Sequence, residues 1–192
     1  MLEWLIELDK QILFAINGLH SGFFDTFFVI VTNKYTSIPI YIWVLYSFFY
    51  KRNIKIAIIM TAAVLLTFAL TDSLSVSLFK NVFHRLRPCW DPSTCDIIRI
   101  LEYKGGQYGF ISNHASNMIG FAFITSALLK KKYYTYLIFI WALLVGYSRI
   151  YVGKHFPLDV ICGSLFGLLI GYLVYLLYKY TIKRLTNKLK IK

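Results

Sequence analysis

Apolar runs fall at about 23–50, 54–79, 116–130, 133–152 and 157–178, separated by short stretches that hold much of the charge. A helix needs about 20 apolar residues to cross the hydrocarbon of a bilayer. The pattern therefore predicts an all-α polytopic membrane bundle of five to six transmembrane helices. Asn33, Lys34 and Pro39 interrupt the first run, which could form two shorter pieces. The run SNMIGFAFITSALLK at 116–130 is short for a span, so it either continues backward or is sunk inside the bundle. Residues 1–20 read as an amphipathic N-terminal helix, with Trp4, Leu5, Leu8, Ile12 and Ile16 at helical spacing, lying at the membrane interface. Glu3, Glu7 and Asp9 stand where a signal peptide would be positive.

Composition supports the membrane reading. The chain of 192 residues is 58% hydrophobic and 18% aromatic, against about 45–50% apolar in soluble domains. One domain over 1–192 is the simplest organisation. The net charge of +12 does not point to nucleic acid, because 12 of the 21 Lys and Arg lie in three clusters beside apolar runs, at 51–55, 130–132 and 179–192. The positive-inside rule puts all three in the cytoplasm, the last as a basic tail. The loop at about 81–115 and the turn at 153–156 then share the outer face.

Those outer segments hold the unusual polar residues. In GYSRIYVGKHFPLDV, Arg149, Lys154, His155 and Asp159 sit between two apolar runs, where charge is costly and calls for a chemical reason. KNVFHRLRP supplies Lys80 and Arg87, and FISNHASN supplies Ser112, Asn113 and His114 ahead of a helix. Lys80, Arg87 and Arg149 together would hold a phosphate, and a helix N-terminus at Ser112–Ser116 would add backbone donors. His155 and Asp159, at i and i+4, share a helix face, so the carboxylate could fix the ring tautomer and leave the other nitrogen as nucleophile. His114 is a separate acid or base.

Blander roles exist for each residue alone. The cations could snorkel, Asp159 could cap the helix at Pro157, and Asp72 could be a buried hydrogen-bonding residue. Lys154 reads as interfacial. His114, His155 and Asp159 could instead ligate a divalent ion, but no H-E-x-x-H or paired Cys–His spacing accompanies them, and the three cations would repel it.

Taken in order, K-x(6)-R-P, S-x-H and S-R-x(5)-H-x(3)-D resemble the signature of the type 2 phosphatidic acid phosphatase superfamily. The motifs span about 80 of the 192 residues. The second reads I-S-N-H where the family usually has P-S-G-H; Asn tolerates left-handed backbone, which would preserve the loop. The resemblance implies that His155 attacks phosphorus to form a phosphohistidine, with Asp159 orienting it. It implies that His114 protonates the leaving oxygen and then activates water, while Lys80, Arg87, Arg149, Ser112 and the Asn113 N–H bind phosphoryl oxygens. No metal and no organic cofactor are implied. The stretch GGQYGFISNHASN and the chain length also resemble small Bacteroidetes lipid phosphatases.

The expected function is hydrolysis of a terminal lipid phosphate or pyrophosphate at the outer leaflet of a bacterial inner membrane, with the site facing the periplasm. Undecaprenyl pyrophosphate is the first candidate, with lipid A phosphate and phosphatidylglycerol phosphate as alternatives. A lipid-phosphate binder or transporter is the non-enzymatic alternative, which has no need of two histidines. An oxidising periplasm would allow a Cys89–Cys95 disulfide, and Cys162 reads as a buried hydrophobe. Arg85, Arg99 and Lys104 read either as a second phosphate or sugar contact or as a solvated loop.

Overall fold

The computed structural model describes residues 2–190; the last two residues of the basic tail lie outside the described residues. Helices α1 (Leu2–Gly18), α2 (Gly22–Thr32), α3 (Ile38–Phe49), α4 (Ile54–Ser75), α5 (Asn81–Phe83), α6 (Asn113–Leu129), α7 (Lys132–Tyr151) and α8 (Pro157–Lys190) carry nearly all regular structure, and a π-helical turn at Val76–Lys80 joins α4 to α5. By length and hydropathy, Ile54–Phe83 and Pro157–Asn187 each suffice to cross a membrane. A third span arises if α1 and α2, bent by 115°, count as one. The expected five to six is thus a looser count. The 17 residues of α6 are too few, and α7 ends in tyrosines and Arg149.

The expected 23–50 run is two helices. Residues 33–37 form the break, Asn33 closes α2, and Pro39 sits in the first turn of α3, where its missing N–H costs nothing. The amphipathic pattern of α1 turns its apolar face outward. Trp4, Leu5 and Ile12 are exposed, and the buried stripe is Asp9, Leu13 and Asn17. In lipid the outward face is the apolar one, so the inward stripe can be polar if each group finds a partner.

The centre of the bundle is α6, packed on α8, α7 and α4. It runs parallel to α8 because Gly163, Gly167 and Gly171 lie in turn against the Ser112, Ser116 and Gly120 carbonyls. A Cβ on Gly163 would stand 2.6 Å from the Ser112 oxygen. Small residues every fourth position let two backbones meet where lipid offers no hydrophobic drive. This close approach brings the N-termini of α6 and α8 together. Thr67, Thr71 and Ser75 line the buried face of α4, with Thr71 Oγ1 donating to Asn117 Oδ1 at 2.6 Å.

Candidate active site

The segment 84–112 folds over the end of the bundle where α6 and α8 begin. Its two arms pair at Leu86 and Tyr108, with Arg87 N donating to the Gln107 carbonyl at 2.9 Å and Gly109 N to the Arg85 carbonyl at 2.8 Å. Arg87 Nε donates to the Tyr108 carbonyl at 3.2 Å, which fixes the guanidinium's root. A Cβ on Gly109 would come within 2.9 Å of Arg87 Cγ and 3.1 Å of Asp159 Oδ2, so only glycine lets the arm lie there.

Below it, the turn after α7 delivers His155, which is 2% exposed. Its Nδ1 lies 3.4 Å from Asp159 Oδ2. The same oxygen accepts from Phe156 N at 3.1 Å, so Asp159 both faces the ring and caps α8. Asp159's backbone carbonyl accepts from Ser112 N at 2.9 Å, tying the second motif to the third. Burial, then the fields of Arg87, Arg149, Lys80 and Lys154, hold the His155 imidazole well below its usual range, so it is neutral at pH 7.

Arg149, at the end of α7, is 4% exposed and donates to Glu102 Oε2 at 3.0 Å and to Thr32 Oγ1. Its Nε is buried without a partner among the described residues. His114 lies in the joint field of Arg149, His155, Arg87 and Lys80. Ser112 caps α6 and accepts from Ala115 N at 3.5 Å. All eight sequence-predicted site residues therefore gather at one end of the bundle. A cavity of about 170 Å³ reaches His114 and is also lined by Thr32, Lys34, Tyr41, Asn117 and Met118. A larger groove of about 840 Å³ lies elsewhere, beside Trp43, Trp141, Lys131 and Lys132.

Several expectations change. Asn113 sits in the first turn of α6 and is absent from the positive-φ residues, so its tolerance of left-handed backbone is not what accommodates it. Instead its Nδ2 donates to Asp72 Oδ1 at 2.7 Å, and its Oδ1 is buried without a partner among the described residues. Asp72 itself is exposed rather than buried. Lys154 is not interfacial: it is 4% exposed, and its Nζ donates to the Tyr103 and Lys104 carbonyls. Burial and the neighbouring Arg87 and Arg149 push its pKa down.

Arg85 and Arg99, both partly exposed, are tied to carboxylates of the chain itself. Arg85 joins Asp9 to Asp159, and Arg99 Nη2 pairs with Asp25 Oδ2 at 2.5 Å. Lys104 does stand exposed, with Nζ 5.1 Å from the Trp90 ring centre. Cys89, Cys95 and Cys162 are all free thiols; Cys89 is buried, and Cys162 is partly exposed rather than buried. His114, His155 and Asp159 do not group as a metal donor set, and no cluster of three such side chains occurs among the described residues.

Sequence reasoning missed Asp9 and Glu102. The one signal for Asp9 was a carboxylate among apolar residues at helical spacing, and Glu102 had none.

A neutral histidine backed by a carboxylate, a second histidine in the same field, and three cations around a helix N-terminus thus lie together at one end of a helical bundle, an arrangement chemically suited to an anionic phosphoryl group. The chain belongs to the PAP2 superfamily, whose pattern matches residues 57–183. It is 39% identical to a lipid A 4'-phosphatase of Porphyromonas gingivalis over 184 residues, covering 95% of this chain and 78% of that one. An undecaprenyl-diphosphatase of Sulfolobus acidocaldarius is 33% identical over 136 residues, covering 69% and 62%. The fold matches the crystal structure of a transmembrane PAP2-type phosphatidylglycerolphosphate phosphatase from Bacillus subtilis, with a TM-score of 0.74 at 23% identity, over 92% of this chain and 87% of that one. This protein is accordingly a membrane-embedded hydrolase of lipid phosphate esters.

Proposed function

We propose that the protein removes a phosphate from lipid A, through a phosphohistidine on His155. The observation that carries the reading is the His155–Asp159 pair buried inside a ring of cations. The lipid A preference is supported by the 39% identity over 95% of the chain. Undecaprenyl pyrophosphate, the first candidate from sequence, falls behind, because its Sulfolobus relative matches only 69% of the chain, at lower identity.

In this mechanism Lys80, Arg87, Arg149 and the N-terminus of α6, with Ser112 and Asn113, hold the three phosphoryl oxygens. His155 Nε2 forms the N–P bond as the P–O bond to the sugar breaks, and the leaving oxygen takes its proton from His114. His114, now unprotonated, draws a proton from water, whose oxygen attacks phosphorus and frees His155. Asp159 keeps the proton on Nδ1 throughout. The protein's own cations supply the charge stabilisation at each step.

The site faces the periplasm of the bacterial inner membrane in this reading, as one domain over 1–192, because the basic clusters at 51–55 and 130–132 lie at the opposite ends of the helices. Detergent-purified protein without added metal should release phosphate from lipid A. It should release less from undecaprenyl pyrophosphate and from phosphatidylglycerol phosphate, and nothing from any of them after His155→Ala. Faster release from undecaprenyl pyrophosphate would overturn the substrate, and turnover by His155→Ala would overturn the mechanism. In a cysteine-free background, Lys104→Cys should react with an impermeant reagent from the periplasmic side; protection would invert the topology.

A further inference from the structure

We propose that Asp9, on α1, is a positioning residue for the nucleophile and acts through Arg85 on Asp159; this rests on the assignment of His155 above. Asp9 is 2% exposed, and a carboxylate so buried persists only when both oxygens are paired. Both are. Oδ1 accepts from Leu158 N at 2.8 Å, one residue before Asp159, and Oδ2 takes Arg85 Nη2. The other arm of the same guanidinium, Nη1, reaches Asp159 Oδ1 at 2.8 Å, and its Cζ lies 4.3 Å from the centre of the Phe156 ring. Asp159 Oδ2 then faces His155 Nδ1. An unbroken chain of contacts thus runs from the N-terminal helix to the imidazole.

The charge arithmetic explains the second carboxylate. One guanidinium between two carboxylates leaves a net charge of −1 beside the ring. With Asp159 alone, Arg85 would cancel the charge that has to stabilise positive charge developing on the ring as the N–P bond forms. The rest of the surroundings are mostly positive. His155 is faced by Lys80 from the π turn, Arg87 from the loop, Arg149 from α7 and Lys154 from its own turn, with His114 on α6; Glu102 opposes Arg149. Asp9 is therefore one of few negative charges that the nucleophile senses.

The test uses full-length Asp9→Asn, with His155→Ala beside it, assayed for phosphate release from lipid A across pH. Removing a negative charge disfavours the imidazolium, so the acid limb of kcat/KM should move to lower pH. Values of kcat should fall roughly ten- to a hundredfold, the usual cost of losing a partner one step behind a reacting group, with KM within about twofold. Asp9→Glu should recover part of the rate, which a packing defect would not permit. Wild-type kcat and acid limb in Asp9→Asn would overturn the proposal and leave Asp9 as a staple for α1. Equal rate loss without the pH shift would overturn it too. Should Asp9→Asn not fold, Arg85→Lys keeps the cation but cannot fork to both carboxylates; it should lose kcat at unchanged KM, and wild-type kcat would refute the relay. Activity in His155→Ala would instead sink the underlying assignment, so the two failures are distinguishable.

Discussion

The two histidines of the site are held in opposite ways. His155 is buried, faces Asp159, and is tied through Arg85 to Asp9, while Arg149 beside it is anchored on Glu102 and Thr32. His114 is half-buried with no side-chain hydrogen bond among the described residues, and the same is true of Lys80. In the proposed mechanism, the half that presents a lone pair at a fixed angle is braced by protein. The half that would meet the leaving group and the phosphate is open for substrate to complete. Preorganisation belongs where charge and direction are needed before substrate arrives, and a side chain that shuttles a proton needs a position the substrate can share.

Removing the two histidines should break this contrast most visibly. His155→Ala should lose at least about a thousandfold in kcat with any leaving group, since no covalent intermediate can form. His114→Ala should lose about a hundred- to ten-thousandfold with lipid A, but far less with p-nitrophenyl phosphate, whose leaving group needs no proton. Equal losses on both substrates would deny His114 the acid role. Rates on the two substrates, in both variants, make the comparison.

A mid-sized effect should come from the scaffold. A Cβ on Gly167 would stand 3.0 Å from Gly120 N and closer still to the Ser116 oxygen. Gly167→Ala should cost about 1–3 kcal/mol by overpacking, seen as a lower thermal midpoint. It should also lower kcat, because α6 carries His114 and α8 carries Asp159, which faces His155, and the two helices would be pushed apart.

The smallest effect concerns pH. Burial and four cations keep His155 neutral, so the acid limb of kcat/KM should lie well below the pH 6.5 of a free imidazole. As pH falls through 6.5 the unfolded chain takes up a proton that the folded site refuses, so stability falls with pH in that window. Lys154→Met removes one cation and should raise the acid limb slightly. Motion the other way would mean that Lys154 acts through the loop carbonyls it holds.

How far the sequence reached follows from which interactions are local. The K-x(6)-R-P, S-x-H and S-R-x(5)-H-x(3)-D spacings supplied the residues that the proposed mechanism uses, because each motif is one short stretch of chain. The i, i+4 spacing of His155 and Asp159 put them on one face, and the apolar runs defined an all-helical membrane chain. What those patterns could not contain was pairing across long separations. Asp9 with Arg85, Glu102 with Arg149, and Asn113 with Asp72 lie 76, 47 and 41 residues apart. Any Arg in an outer loop looks solvated until a buried carboxylate is brought to it. The packed face of α1 was not legible for the same reason: apolar residues mark the core side only when the surrounding solvent is water. Here the solvent is lipid, so Trp4 and Ile12 face outward and the polar Asp9 and Asn17 face in. Only the tertiary structure could decide this, because a polar side chain turns inward where a partner waits, and the partner lies on another helix.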